Sequence, residues 1–134
     1  MTEEKPTDET SREARGMAFF RAHNAKAAAR MEAMLGGVAP DLMRYAAEFA
    51  FGDVYAREGL AKRDRQLVTL AALATRGDAG PQLEVHIAIA LSLGIRREEI
   101  AEVFIQLAPY AGFPTAINAA AALARIAPEP AGAG

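Results

Sequence analysis

Residues 82–107 read QLEVHIAIALSLGIRREEIAEVFIQL and contain two helix-length apolar segments joined by a short link. The first segment surrounds His86 and stops at Gly94, a residue type that favours the left-handed conformation just beyond a helix. The second opens with Glu98 and Glu99, whose charges suit the positive end of a helix. Its apolar residues then follow the i, i+3, i+4, i+7 spacing of a buried helical face, at Ile100, Val103, Phe104 and Leu107. This stretch predicts an antiparallel helical hairpin.

Four more helices are predicted by the periodicity of apolar residues and by prolines and glycines at helix ends. They are expected at about residues 11–35, from 40 to just before Gly59, 62–76 and 115–126. The third helix is apolar nearly all round after its charged first turn, so we expect it to be buried. Pro109 is expected to weaken the last turn of the fifth helix. The sequence therefore predicts an all-α protein of about six helices.

The composition favours a single helical domain. The chain has 134 residues, of which 51% are apolar but only 7% aromatic, and much of the apolar content is alanine. That balance favours closely packed helices over sheets. We expect one domain at residues 11–127, with disordered tails at 1–10 and 128–134. Because the alanine-rich sixth helix adds little core volume, a homo-oligomer is also expected.

Charge and cysteine content exclude several classes of function. The 15 basic and 17 acidic residues are mixed along the chain and give a net charge of −2. Without a basic stripe, neither nucleic acid nor an anionic membrane is an expected partner. With no secretory signal and no membrane-length apolar run, we expect a cytoplasmic protein. The absence of cysteine excludes thiol redox chemistry and thiolate metal sites, and no histidine pair has metal-ligand spacing.

Few residues could carry chemistry, and each has two interpretations. His86 lies in an apolar helix. It is either a core imidazole that is hydrogen-bonded to a backbone carbonyl or a group that transfers a proton during a reaction. Glu102 would either face solvent or orient the His86 ring across the hairpin. The cation-rich segment at residues 57–65 is either a charged turn or an anion clamp built on an arginine.

Five segments together resemble the carboxymuconolactone decarboxylase family. They are residues 51–60, 63–71, 82–86, 94–103 and 110–119, and their order and spacing match over more than half of the chain. The resemblance implies the all-helical fold of the alkyl hydroperoxidase D proteins, assembled into trimers or hexameric rings. It also implies a small carboxylated lactone or cyclic acid as substrate, and no cofactor.

The resemblance also separates two branches of related proteins. The peroxidase branch carries a Cys-x-x-Cys pair before the histidine, where this chain has Ala79 and Gln82. An upstream glutamate of that branch is matched most nearly by Gln66. A thiol peroxidase is excluded because the chain has no sulfur nucleophile.

The decarboxylase branch needs a histidine but no cysteine. Loss of carbon dioxide leaves a dienolate-like charge that must be stabilised and then protonated. The resemblance implies His86 as general acid, Glu102 as its partner and Arg57 as the carboxylate clamp. The remaining substrate-binding candidates are Arg65, Tyr110 and Asn118. The alternative is a family member without activity that serves as a ring-forming binding module. An imidazole in an apolar helix favours the enzyme.

Overall fold

The computed structural model describes residues 11–126 and Pro128, and this part of the chain contains helices but no strand. The helices are α1 (Arg12–Gly36), α2 (Pro40–Tyr45), α3 (Lys62–Arg76), α4 (Gly80–Ser92), α5 (Arg97–Ala111) and α6 (Phe113–Arg125). A π-helix (Ala46–Val54) continues α2 without a break. The prediction of an all-α protein with six helices is confirmed. Apart from Pro128, the two predicted tails lie outside the described residues.

Two sequence-based expectations need correction. Helix α3 is not buried all round, since it buries Gln66, Leu70 and Ala74 while Val68 on another face is 62% exposed. Pro109 lies inside the last turn of α5, which continues to Ala111. Helices α4 and α6 each begin two residues earlier than predicted, because proline is tolerated in the first turn of a helix, where backbone N–H groups have no helical acceptor.

The described residues form two compact units, of which the first ends at Lys62 and the second begins at Arg63. In the first unit, α1 packs against α2 and the π-helix. Its core is built from apolar side chains on all three elements and on Tyr55, directly after the π-helix: Met17, Phe20, Ala27, Ala28, Met43, Ala47, Phe51 and Tyr55. Phe51 is central, with ring centroids of Phe20 and Tyr55 at 5.0 and 5.6 Å.

Two glycines allow the backbones of the first unit to approach closely. A Cβ atom on Gly16 of α1 would lie 1.8 Å from the carbonyl oxygen of Ala47. A Cβ atom on Gly52 of the π-helix would lie 2.4 Å from the carbonyl oxygen of Arg12. Because real Cβ atoms cannot come so near to a backbone oxygen, the contact between the two helices requires both glycines.

Helix α1 is kinked at Asn24, whose φ of −158° and ψ of 71° are not helical. The Asn24 side-chain oxygen accepts a hydrogen bond from the backbone N–H of Ala27 at 3.2 Å. This is the geometry of a helix N-cap, so Asn24 begins a second helical segment inside α1. Phe20 before the kink and Ala28 after it are both buried.

Asn24→Ala is expected to lower the free energy of unfolding by about 1 kcal/mol, because alanine cannot accept the hydrogen bond from Ala27. Asn24→Asp is the matched control and should cost much less, since aspartate also caps helices well. Urea unfolding followed by circular dichroism measures both. An alanine variant as stable as wild type would show that the cap contributes nothing.

The second unit contains the predicted hairpin. Gly94 has φ of 88°, which confirms the left-handed turn expected between α4 and α5. The core includes Leu70 from α3, Leu83 and Ile87 from α4, Ile100 and Phe104 from α5, and Ala119, Ala122 and Leu123 from α6. The alanines of α6 leave room for α5 to pack closely against it. Arg97 of α5 donates to the carbonyl oxygens of Leu123 and Ile126 at 3.1 and 2.7 Å, which satisfies acceptors at the end of α6.

Candidate active site

His86 lies in the middle of α4, within the second unit. The neighbouring Ile87, Ile89 and Ala90 are fully buried, and His86 itself is half-buried. Helix α4 starts at Gly80 with Pro81 in its first turn, and its buried residues Leu83, Ile87, Ile89 and Ala90 place the imidazole beside a mainly hydrocarbon core. A polar ring in that setting needs a partner.

Gln66 of α3 supplies that partner. Its side chain is fully buried, with an exposure of 0%, on the same face of α3 as Leu70 and Ala74. The side-chain nitrogen Nε2 of Gln66 lies 3.0 Å from Nδ1 of His86 and 3.0 Å from the main-chain carbonyl oxygen of His86. One amide group therefore contacts both the ring and the backbone of the same residue.

Burial lowers the pKa of His86 from 6.5 to about 4. The cause is desolvation, because an imidazolium loses more hydration free energy than a neutral imidazole when it leaves water. The ring is therefore neutral near pH 7. A neutral imidazole carries one N–H donor and one acceptor nitrogen.

Glu102 lies elsewhere in the second unit. It is exposed on α5 and borders a cavity of about 360 Å³ between α3 and α5, and His86 is not among the residues that line this cavity. The lining is mostly apolar and consists of Leu67, Ala71, Glu99, Glu102, Val103, Gln106 and Leu107. The Nδ1 partner of His86 is thus Gln66 rather than a carboxylate of α5.

The rim of this cavity holds an ion pair. Glu99 accepts a hydrogen bond from the backbone N–H of Arg96 at 2.9 Å and another from the side chain of Arg63 at 2.6 Å. The Arg96 N–H and the Arg63 side chain both keep the pKa of Glu99 below its usual value. Arg63, from the cation-rich segment, therefore neutralises Glu99 and joins the start of α3 to the start of α5.

The other predicted site residues are spread over both units. Arg57 is exposed in the first unit, after the π-helix. Arg65 is half-buried on α3, directly before Gln66. Tyr110 at the end of α5 is 82% exposed, and Asn118 is exposed on α6. Of the six candidates, His86 is the one for which the structure gives a hydrogen bond to Gln66.

Gln66 was not among the predicted site residues. Two signals could have indicated it: its match to the upstream glutamate of the peroxidase branch, and its place four residues before Leu70 and eight before Ala74, on what becomes the buried face of α3. A buried amide must find hydrogen-bond partners, so it marks a place where other polar groups gather. Its partner on α4 could not be read from the sequence, because the pairing depends on how the two helices pack.

Among the described residues, no three histidine, aspartate or glutamate side chains are grouped in a way that could hold a metal ion. The helices described here are also too short or too polar for any of them to span a membrane.

Comparison with known proteins identifies the family. The model of the carboxymuconolactone decarboxylase family matches residues 40–125, which include all of the candidate site residues. The chain belongs to the carboxymuconolactone decarboxylase family.

Two relatives show how close the similarity is. The chain is 34% identical over 96 residues to a 4-carboxymuconolactone decarboxylase of Acinetobacter baylyi, covering 66% of this chain and 70% of that protein. It is also 34% identical over 85 residues to an uncharacterized 15.0 kDa protein in the nqo9-nqo10 intergenic region of Paracoccus denitrificans, covering 63% of this chain and 60% of that protein.

Proposed function

We propose that this protein is a cofactor-independent enzyme, similar to 4-carboxymuconolactone decarboxylase, that acts on a small carboxylated lactone or cyclic acid. The observation that carries the proposal is the half-buried, hydrogen-bonded His86, which lies inside the segment matched by the family. The similarity to the Acinetobacter baylyi enzyme supports the choice of substrate class.

The reaction begins with cleavage of the bond between the lactone ring and its carboxylate. The electron pair of that bond moves into conjugation with the ring carbonyl, carbon dioxide leaves, and a dienolate remains. Addition of one proton to carbon then gives the enol-lactone, so each turnover consumes one proton. The enzyme has to stabilise the dienolate charge and supply that proton.

His86 is the proposed general acid. Because its ring is neutral near pH 7, it would act through a ring N–H, first as a hydrogen-bond donor to the dienolate and then as the source of the proton. A neutral imidazole can serve as electrophile in this way, and solvent returns the proton to the ring. Arg57 is proposed as the carboxylate clamp, with Arg65 as a second candidate.

The remaining residues have supporting roles in the proposal. Glu102 is proposed as a partner in proton transfer, and its exposed position on α5 permits contact with a ligand. Tyr110 and Asn118 are proposed to line the substrate pocket, which their exposed side chains permit.

We also propose that the protein works in the cytoplasm as a homo-oligomer, a trimer or a hexamer. Support comes from apolar side chains that the single chain leaves exposed in its second unit: Val68, Ile105, Phe113 and Ile117. Solvent-exposed apolar side chains of this kind are often covered by subunit association.

Incubation of the purified protein with 4-carboxymuconolactone tests the proposed function. We expect the enol-lactone and carbon dioxide to form in a 1:1 ratio, at a rate far above that in buffer. The same lactone without its carboxylate is the control and should give no product, since it has no carbon dioxide to lose. Binding of the carboxylated lactone without turnover would contradict the enzyme and favour the non-catalytic, ring-forming module.

A further inference from the structure

We propose that Gln66 is a positioning residue that selects the tautomer of His86, so that the ring meets the substrate with its N–H at Nε2. The hydrogen-bond geometry alone supports the choice of tautomer. The catalytic consequence rests on the proposed function.

The main-chain carbonyl of His86 is the first constraint on the Gln66 side chain. A carbonyl oxygen can only accept, and it lies 3.0 Å from the Gln66 side chain. The atom of Gln66 that faces it must therefore be the NH₂ group, since the amide oxygen would place two acceptors in contact. The carbonyl thereby fixes which way the Gln66 amide is turned.

The same NH₂ group faces the imidazole. It has two hydrogens and two neighbours at 3.0 Å, namely the carbonyl oxygen and Nδ1 of His86. One hydrogen is donated to the carbonyl oxygen and the other to Nδ1, so Nδ1 must be the acceptor of a hydrogen bond. A neutral imidazole that accepts at Nδ1 carries its hydrogen at Nε2.

Burial makes this selection strong. Gln66 is fully buried, so water cannot replace a hydrogen bond that the other tautomer would lose. A proton on Nδ1 would bring two N–H donors together at 3.0 Å. An imidazolium would meet the same conflict, because it carries a proton on both ring nitrogens. Gln66 therefore favours one of the three protonation states of the ring.

The proposed chemistry needs that state. A dienolate is stabilised by a donor, and Nδ1 is occupied by Gln66, so the donor that serves the substrate is Nε2–H. Glutamate in place of Gln66 would reverse the selection, because a carboxylate only accepts and would call for a proton on Nδ1.

Nitrogen NMR of protein labelled with ¹⁵N-histidine at pH 7 tests the proposal without any substrate. Long-range proton–nitrogen correlations distinguish the Nε2–H and Nδ1–H tautomers, and a His23→Gln variant assigns the signals of the two histidines. We expect the wild-type His86 to be the Nε2–H tautomer. Gln66→Met, which removes both donors, should give a mixture, and Gln66→Glu should move the proton to Nδ1.

Gln82→Glu is the matched control. It adds the same charge at an exposed position of α4, one turn before His86, and should leave the tautomer unchanged. With turnover as a second readout, Gln66→Glu is expected to lower kcat at least tenfold while KM stays within about threefold, since the change affects proton donation.

A wild-type His86 with its proton on Nδ1, or a Gln66→Met variant that keeps the pure Nε2–H pattern, would overturn the proposal. The wild-type spectrum alone shows which ring nitrogen of His86 carries the proton, even if a variant fails to fold. The tautomer readout is also independent of activity. If wild type shows the expected tautomer and Gln66→Met loses it while no lactone is decarboxylated, the role of Gln66 stands and the proposed function fails.

Discussion

His86→Gln is expected to lower kcat for decarboxylation of 4-carboxymuconolactone by about 10²–10⁴-fold, the usual contribution of a general acid. Glutamine has a similar size and keeps an N–H donor, so the fold and much of the electrostatic stabilisation should survive. It cannot transfer a proton as an imidazole does. The loss should therefore appear in kcat, with a smaller effect on KM.

His23→Gln is the matched control. His23 is the other histidine of the chain, and it packs against Phe19 in the first unit with ring centroids 4.7 Å apart. Its removal should leave kcat within about twofold of wild type, since the proposed mechanism gives His23 no role. Full turnover by His86→Gln would remove His86 from the mechanism.

Gly16→Ala is expected to lower the free energy of unfolding by about 3 kcal/mol and the melting temperature by about 10 °C. The new Cβ would lie 1.8 Å from the carbonyl oxygen of Ala47, so α1 and the π-helix must separate. Alanine favours a helix over glycine by about 1 kcal/mol, which is too little to offset loss of the close packing. Thermal unfolding followed by circular dichroism measures the change.

Gly36→Ala, at the end of the same helix, is the control for this effect. A Cβ atom there has nothing within 4 Å, so the substitution should be neutral or slightly stabilising. Equal stability of the Gly16→Ala and Gly36→Ala variants would show that the backbones are not in close contact at Gly16.

The helices of the second unit were predictable because their signals are local. Gly94 and the apolar spacing from Ile100 to Leu107 mark the hairpin, and the structure has the same turn and the same buried face. Helix α3 was predicted at its observed limits, from Lys62 to Arg76. Its burial was overestimated, because apolar character alone does not show which faces of a helix pack against other helices. Val68 stays 62% exposed within the described residues.

The π-helix had no clear signal in the sequence. Buried residues of this region recur every fourth position, at Met43, Ala47, Phe51 and Tyr55. In an α-helix such residues drift by about 40° at each step, because four residues exceed one turn of 3.6. The wider turn, seen in the hydrogen bond from the Tyr55 N–H to the Ala50 carbonyl oxygen, counters that drift. Periodicity predicted a helix but not its type.

The site was predictable only in part. His86 could be singled out because an imidazole in an apolar helix needs a partner, but Glu102 was the expected partner and Gln66 occupies that place. The choice depends on which face of α3 packs against α4, which the spacing within one helix does not specify. The roles of Arg57, Arg65, Tyr110 and Asn118 stay predictions.

The dependence of kcat/KM on pH tests the central claim most directly, because it reports the ionisation of the free enzyme. With the pKa of His86 at about 4 and the neutral ring as the active form, kcat/KM for 4-carboxymuconolactone should be constant from about pH 5 to 8 and fall as the pH drops through about 4. The carboxyl groups of the lactone are titrated separately to correct the acid limb. A steady decrease of kcat/KM as the pH rises through about 6.5, the ordinary pKa of histidine, would show an imidazolium acid and contradict this account.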